Sequence, residues 1–330
     1  MVRFCRFFNV KTAKSTTIFL GEGVTIKALI TGGTGLLGRE LLVKQQDSVV
    51  LSRDPARASR ERGVGRAVRW DSVSAPAPIE ALQGIDMVFN LAGEPVAEGR
   101  WTEDKKRRIR DSRVLGTRNL VAGLRALDRK PEVLVSASAV GYYGDRGDEE
   151  LDETSQAGRG FLAEVCSEWE REALAAEALG VRVVCVRIGI VLAPGGGALA
   201  RMLTPFKMGA GGRLGSGKQW MPWIHIDDVV GVLLHAGRTA AIRGVMNAVS
   251  PEPVTNAEFT RALGRAVHRP AFLAVPMTAL HIAFGEMSEV LMASQRVLPR
   301  VAERTGYRFK HAGLEGALAA VIAAPHRTQA

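Results

Sequence analysis

The sequence predicts a doubly wound α/β fold: a parallel sheet covered by helices, followed by a smaller, discontinuous C-terminal domain. Three observations predict it. Short apolar runs alternate with helical patterns from residue 26 to residue 188. These runs are near-continuously apolar, as strands buried on both faces are. Directly behind the first run lies a glycine-rich turn, Thr31-Gly32-Gly33-Thr34-Gly35-Leu36-Leu37-Gly38. After Leu192 the alternation stops, and Pro194-Gly195-Gly196-Gly197 and the stretch from Gly209 to Gly217 read as glycine-rich loops.

The elements follow in order. Ile26-Lys27-Ala28-Leu29-Ile30 is a short apolar run and predicts a buried strand. The segment from Gly38 to Asp47 predicts a short crossover helix, and Ser48-Val49-Val50-Leu51 the second strand. A third strand is expected to end near Trp70, and Asp86-Met87-Val88-Phe89-Asn90 is the fourth. A helix is expected from about Thr102 to Leu127, then a strand at Glu132-Val133-Leu134-Val135-Ser136. A second long helix is expected from about Phe161 to Leu179, and a sixth strand from Val181 to Ile188. Right-handed crossovers between parallel strands turn this series into a Rossmann-type sheet. The expected division is 25–190 with 225–250 for the Rossmann domain, and 191–224 with 251–325 for the substrate-side C-terminal domain.

Residues 1–24 read as an extension, expected to be disordered, or as a misassigned start; a basic targeting peptide is the alternative. Arg3, Arg6, Lys11 and Lys14 face a single acid, Glu22, and the apolar patch at 17–20 is too short for a secretory signal.

Composition narrows the classes. The chain has 330 residues, 46% hydrophobic and 24% charged, which suits a globular protein. No apolar run approaches the roughly 18 residues of a membrane span. The net charge of +10 raises nucleic-acid binding as a question. The excess is spread along the chain, however, and its densest run, Lys105-Lys106-Arg107-Arg108 with Arg110, sits among Glu103, Asp104 and Asp111. It reads as a solvated helix face, so no specific nucleic-acid partner is expected. Cys5, Cys166 and Cys185 have no metal-ligand or redox spacing; the latter two read as buried thiols, and the count suits a reducing cytoplasm. The six histidines form no paired ligand motif, and no metal site is expected.

The glycine turn has the context of a dinucleotide fingerprint, strand before and helix after. Gly32 would permit the tight turn, Gly35 the approach of a pyrophosphate, and Gly38 the close packing of helix on strand. With Thr34 and Leu36 these residues would bind the phosphates through free N–H groups at the helix start. The end of the second strand selects the cofactor. Ser52 and Arg53 suit the 2′-phosphate of NADP (NADPH). Asp54 either caps the next turn or is the carboxylate that NAD would need.

On these motifs the chain resembles the extended and atypical short-chain dehydrogenase/reductases. Thr31 to Gly38 is similar to their glycine loop, and Asn90-Leu91-Ala92-Gly93 to the segment after their fourth strand. Trp223-Ile224-His225-Ile226-Asp227-Asp228-Val229 resembles the segment that introduces a late helix. A closer resemblance is to an epimerase-like subgroup of the NAD-dependent epimerase/dehydratase family that carries a C-terminal domain of unknown function. It rests on residues 90–95, 100–103, 136–144, 215–223 and 247–251, and on the tail from Arg269 to Leu318. The resemblance implies cofactor contacts from Leu91, Ala92, Gly93 and Arg187, and a dimer.

The superfamily's reaction uses a Ser or Thr, a Tyr and a Lys, with the tyrosine as general acid/base. In this chain Phe161 stands in the tyrosine place and Val165 in the lysine place. Phenylalanine cannot transfer a proton, and valine cannot lower a neighbour's pKa. Ser138 fits the hydroxyl place; its alternative is a strand-end hydroxyl satisfying local backbone. Tyr142 and Tyr143, at the carboxyl end of the fifth strand, are candidate replacement acids or packed rings. Glu94 is a candidate substrate contact or the cap of a turn. Lys218, Trp220, Trp223 and His225 form a candidate substrate cluster, whose alternatives are tryptophan packing and a loop fixed by His225 and Asp227. The expected function is an NADP-dependent oxidoreductase or epimerase-like enzyme of an unknown small molecule. The rivals are a non-catalytic NADPH-binding redox sensor or scaffold, and a true nucleotide-sugar epimerase.

Overall fold

The computed structural model describes residues 26–324. The extension expected over 1–24, and Cys5 within it, lie outside the described residues. Seven strands form one parallel sheet: β1 (Ala28–Thr31), β2 (Ser48–Ser52), β3 (Val64–Arg69), β4 (Met87–Asn90), β5 (Val133–Ala139), β6 (Arg182–Ile188) and β7 (Gly244–Ala248). Their order across the sheet is β7-β6-β5-β4-β1-β2-β3. The chain therefore moves one way from β1 to β3, returns to β4 beside β1, and continues the other way. That reversal opens a crevice beyond the carboxyl ends of β1 and β4, where open α/β sheets take their ligands.

Side-chain alternation builds the two faces. Ala28 and Ile30 of β1, Phe89 of β4 and Val184 and Val186 of β6 point to one apolar layer. Leu29, Val88, Leu134, Val183 and Cys185 point to the other. The first layer is closed by α1 (Leu36–Lys44), with Leu41 and Leu42 inward, and by α4 (Ile226–Arg238), with Val229, Val232 and Leu233 inward. The second is closed by α2 (Glu103–Arg125), with Leu120, Val121 and Leu124 inward, and at Ala173 by α3 (Phe161–Leu174). Each fully buried Leu, Ile or Val contributes about 1.5–3 kcal/mol, so both faces must be covered for the sheet to persist.

Helix α2 starts where its sequence says it should. Thr102 accepts a hydrogen bond from the Lys105 N–H at 3.2 Å, and Glu103 and Asp104 meet the positive end of the helix dipole.

One expectation is corrected. The stretch from Gly209 to Gly217 is not wholly loop: Gly212–Leu214 pairs in parallel with Leu273–Val275. The last sheet strand, β7, has no counterpart in the sequence reading; it is only five residues long and starts at Gly244, with φ 75°. A separate apolar cluster, including Leu199, Phe206, Trp223, Phe259, Leu263 and Leu318, lies on the C-terminal side. Separate two-stranded pairings lie outside the main sheet: Trp223–His225 runs parallel to Ile190–Leu192, and Arg296–Val297 parallel to Glu150–Leu151. Cys166 and Cys185 are buried thiols. Among the described residues no helix is long and apolar enough to cross a membrane.

Candidate functional site

The glycine turn forms a cradle of bare backbone at the crevice. Gly32 has φ 71°, and a Cβ there would meet the Ala92 nitrogen and the Leu91 carbonyl carbon at 2.8 Å. Glycine thus lets the turn and the segment after β4 lie in contact. A Cβ on Gly38 would run into the Gly32 carbonyl oxygen, so glycine also lets α1 sit close on the turn. Gly35 is the exposed N-cap of α1 and supplies no side-chain cap. The first helical bond runs from the Arg39 N–H to the Gly35 carbonyl at 3.0 Å, which leaves the preceding amides of the first turn open. A phosphate fits such a cradle: N–H donors, a positive dipole end and no side chain in the way. Thr34 and Leu36 are half-buried around it.

The facing segment is held by hydrogen bonds. The N–H groups of Leu91 and Ala92 both donate to the Thr31 hydroxyl at 3.1 Å. That hydroxyl donates to Asn90 Oδ1 at 2.8 Å, and Asn90 Nδ2 donates to Thr117 and Ser136. The backbone from Leu91 to Gly93 is therefore fixed against the cradle.

At the end of β2 the alternatives separate. Asp54 caps the short helix Pro55–Ala58, accepting from the Arg57 N–H at 3.0 Å. Ser52 bonds the Asp54 backbone. Arg53 is exposed and makes no ion pair among the described residues; its charge reaches only Asp71, whose carboxyl is held low chiefly by the Ser74 hydroxyl.

The carboxyl end of β5 leads into a buried polar chain. Ser138 donates to Glu170 Oε1 at 2.6 Å. Glu170 takes both Nε and Nη2 of Arg187 at 2.8 Å. Arg187 Nη1 donates to the Tyr143 hydroxyl at 3.1 Å, and that hydroxyl donates to Asn247 Oδ1 at 2.8 Å. Burial opposes the Arg187 charge, but the Glu170 carboxylate more than offsets this and raises its pKa.

Three of the expected site residues stand in this chain of contacts. Arg187 is 2% exposed, and every side-chain nitrogen has a protein partner. The Tyr143 ring is fully buried, its hydroxyl is tied to Arg187, Asn247 and the Asp152 carbonyl, and burial pushes its pKa up to about 12. Ser138 is buried and directed at Glu170 rather than at open space. Tyr142 differs. It is half-buried, its ring lies under the Arg187 guanidinium at 3.3 Å, and its hydroxyl makes no hydrogen bond among the described residues.

Phe161 packs edge-on against Trp101 at 5.3 Å, and Val165 is buried. Glu94 does not cap a turn through its carboxylate, which pairs with the buried Lys105 at 2.8 Å; this hydrogen bond is the first cause of its lowered pKa.

The four residues of the expected substrate cluster differ in exposure and partners. Lys218 is exposed. Trp220 is half-buried, donates to Asp148 at 2.9 Å, and lies under Arg296 at 4.8 Å. Trp223 is fully buried in the C-terminal cluster, with its N–H on the Glu252 carbonyl. His225 is buried and caps α4, with Nδ1 accepting from the Asp227 N–H at 3.1 Å. His225, Asp227 and His311 place ligand atoms within 4.8 Å of one another, a convergence the sequence spacing did not reveal. The two rings stack at 3.7 Å and the Nδ1 lone pair is engaged, so the group is satisfied as a cap. Sequence reasoning also missed Glu170 and Lys105, whose partners lie on other elements and leave no local spacing signal.

The comparisons with known proteins agree with this architecture. Residues 28–248 match the model of the NAD dependent epimerase/dehydratase family, and residues 275–321 a domain of unknown function. An epimerase family protein of Mycobacterium bovis is 42% identical over 288 residues, 86% of this chain and 93% of its own. One from Bacillus subtilis is 39% identical over 298 residues, 89% of this chain and 97% of its own. The crystal structure of the human epimerase family protein SDR39U1 with NADPH superposes with a TM-score of 0.79 at 34% identity, covering 89% of this chain and 98% of that one. Sheet, cradle and matches together place this chain in the NAD dependent epimerase/dehydratase family, with a C-terminal domain of unknown function.

Proposed function

We propose that this protein binds NADPH in the crevice between Gly32–Gly38 and Leu91–Gly93, and that it is an NADP-dependent oxidoreductase or epimerase-like enzyme acting on a small molecule. The observation that carries the reading is the uncapped start of α1 behind Gly35, beside a free, exposed Arg53. The open amides suit the pyrophosphate and Arg53 the 2′-phosphate; Asp54, engaged as a cap, would not compete as an NAD carboxylate. The human relative crystallised with NADPH supports the choice.

When bound, the nicotinamide supplies hydride transfer. The chain's part is to orient it, exclude water and handle a proton. With Phe161 and Val165 in the usual places, Tyr142 is the candidate donor, since its hydroxyl alone of the β5-end candidates is not tied to protein. Ser138, Tyr143 and Arg187 then act as the frame beneath it, and Glu94 and Trp220 flank the approach. We place the Rossmann domain at 25–190 with 225–250, and the substrate side at 191–224 with 251–325. The proposal includes a homodimer, on the strength of the superfamily resemblance, and a cytoplasmic location, on the strength of the cysteine usage.

Nicotinamide fluorescence during titration with NADPH and with NADH tests this. Tight, NADPH-selective binding is expected; binding of neither would overturn the reading. The same Phe161 and Val165 also favour a second reading, a non-catalytic NADPH sensor. It would bind NADPH but oxidise it with no carbonyl compound or sugar nucleotide.

A further inference from the structure

Arg113 stands out because it is an arginine at the crevice without a counter-ion. It projects from α2 toward the segment after β4. A Cβ on Gly93 would meet its guanidinium carbon at 3.0 Å, so the guanidinium lies directly against that glycine. Its other side faces the Trp169 ring at 5.2 Å. Nη1 donates to two backbone carbonyls, Glu94 at 2.9 Å and Ile109 at 3.1 Å. Nε and Nη2 make no hydrogen bond, and no carboxylate lies within ion-pair distance of Arg113 among the described residues. The nearest acid, Glu94, is taken by Lys105 and Arg108.

Keeping a partly desolvated cation unpaired is costly, and burial indeed pushes the Arg113 pKa down. The comparison with Arg187 is instructive. There the Nε and Nη2 edge holds both oxygens of Glu170. In Arg113 the same edge has no partner among the described residues.

We propose that Arg113 binds an oxyanion, a carboxylate or phosphate, through its Nε and Nη2 edge beside the Leu91–Gly93 segment. The preferred source is the substrate, which makes the substrate class anionic; the alternative source is the cofactor itself. The planar fork suits two oxygens of one group, and Gly93 and Trp169 hold its plane. The inference deepens the reading of this crevice as a nicotinamide site and rests on it for the identity of the neighbouring ligand.

The test uses the full chain as wild type, Arg113→Gln, Arg113→Lys, and Arg118→Gln as a control on the same helix. NADPH affinity is measured by fluorescence. Oxalate, a small dicarboxylate, is then titrated calorimetrically into the apo and the NADPH-saturated proteins. Oxalate binding that falls at least tenfold in Arg113→Gln, less in Arg113→Lys and not in Arg118→Gln supports a substrate oxyanion. No oxalate binding, but a tenfold loss of NADPH affinity in Arg113→Gln alone, assigns the same edge to the cofactor. Equal oxalate and NADPH affinities in wild type and Arg113→Gln overturn the proposal. If wild type binds no NADPH, the proposed function fails, and oxalate binding to the apo protein still decides the site. Should Arg113→Gln not fold, phenylglyoxal labelling of wild type substitutes: protection of Arg113 by oxalate or NADPH supports the site, and unchanged labelling overturns it.

Discussion

Glu170 holds Arg187 by two parallel contacts of 2.8 Å, Nε to Oε1 and Nη2 to Oε2, with both side chains almost wholly out of solvent. A neutral amide at 170 would leave a buried guanidinium uncompensated, which costs about 3–5 kcal/mol. Glu170→Gln should lower the denaturant midpoint accordingly. A double variant, Glu170→Gln with Arg187→Met, should recover part of the loss. Additive losses in the double-variant cycle would show that the pair is not coupled.

The two adjacent tyrosines should respond differently. Tyr143→Phe leaves Asn247 Oδ1 and Arg187 Nη1 without a partner and should cost about 1–3 kcal/mol of stability. Tyr142→Phe removes a hydroxyl with no protein partner and should leave stability within about 0.5 kcal/mol. Chemical denaturation separates them; equal losses would mean that the Tyr142 hydroxyl is also bound.

Arg53→Ala should weaken NADPH at least tenfold more than NADH, about 1.4 kcal/mol of selectivity. Equal loss for both cofactors, followed by nicotinamide fluorescence, would remove Arg53 from the 2′-phosphate.

Gly38→Ala sets a methyl against the Gly32 carbonyl, and both partners are backbone. The turn must open, so NADPH binding should fall at least a hundredfold even if the protein folds. Gly84→Ala, where a Cβ meets nothing but φ is 71°, should cost only about 1–2 kcal/mol and spare binding. Wild-type NADPH affinity in Gly38→Ala would sink the cradle as the phosphate site.

His225 links stability to pH. Burial first, and the neighbouring His311 second, lower its pKa in the folded protein, while Asp227 and Asp228 pull the other way. The unfolded chain then binds more protons, so stability rises with pH. Its contribution is full above the unfolded value of about 6.5 and is lost as pH falls toward the depressed native value. His225→Asn, which keeps a capping side chain, should flatten the slope of Tm between pH 7 and 5. An unchanged slope would assign the dependence elsewhere.

The sheet was legible because strand burial is written locally. Ala28–Thr31 and Met87–Asn90 are buried along their whole length, and their apolar runs say so. The cradle was legible for the same reason: Gly32, Gly35 and Gly38 meet a backbone requirement within one turn. Ends set by distant pairing were less legible. β5 runs to Ala139, three residues past the expected Ser136, because Ser138 and Ala139 pair with Arg187 and Ile188. The strand at Gly212–Leu214 exists only through Leu273–Val275.

By itself the sequence determined the family, the sheet and the glycine turn. Those are properties of neighbouring residues and of residue type. Only the tertiary structure decided which side chains remain available. It tied Arg187 and Ser138 to Glu170, placed Trp223 in a core, made His225 a cap, and left Tyr142 and Arg113 with unclaimed donors. For Ser138 and Arg187 availability depends on Glu170, 32 and 17 residues away, and one-dimensional spacing carries no record of such partners.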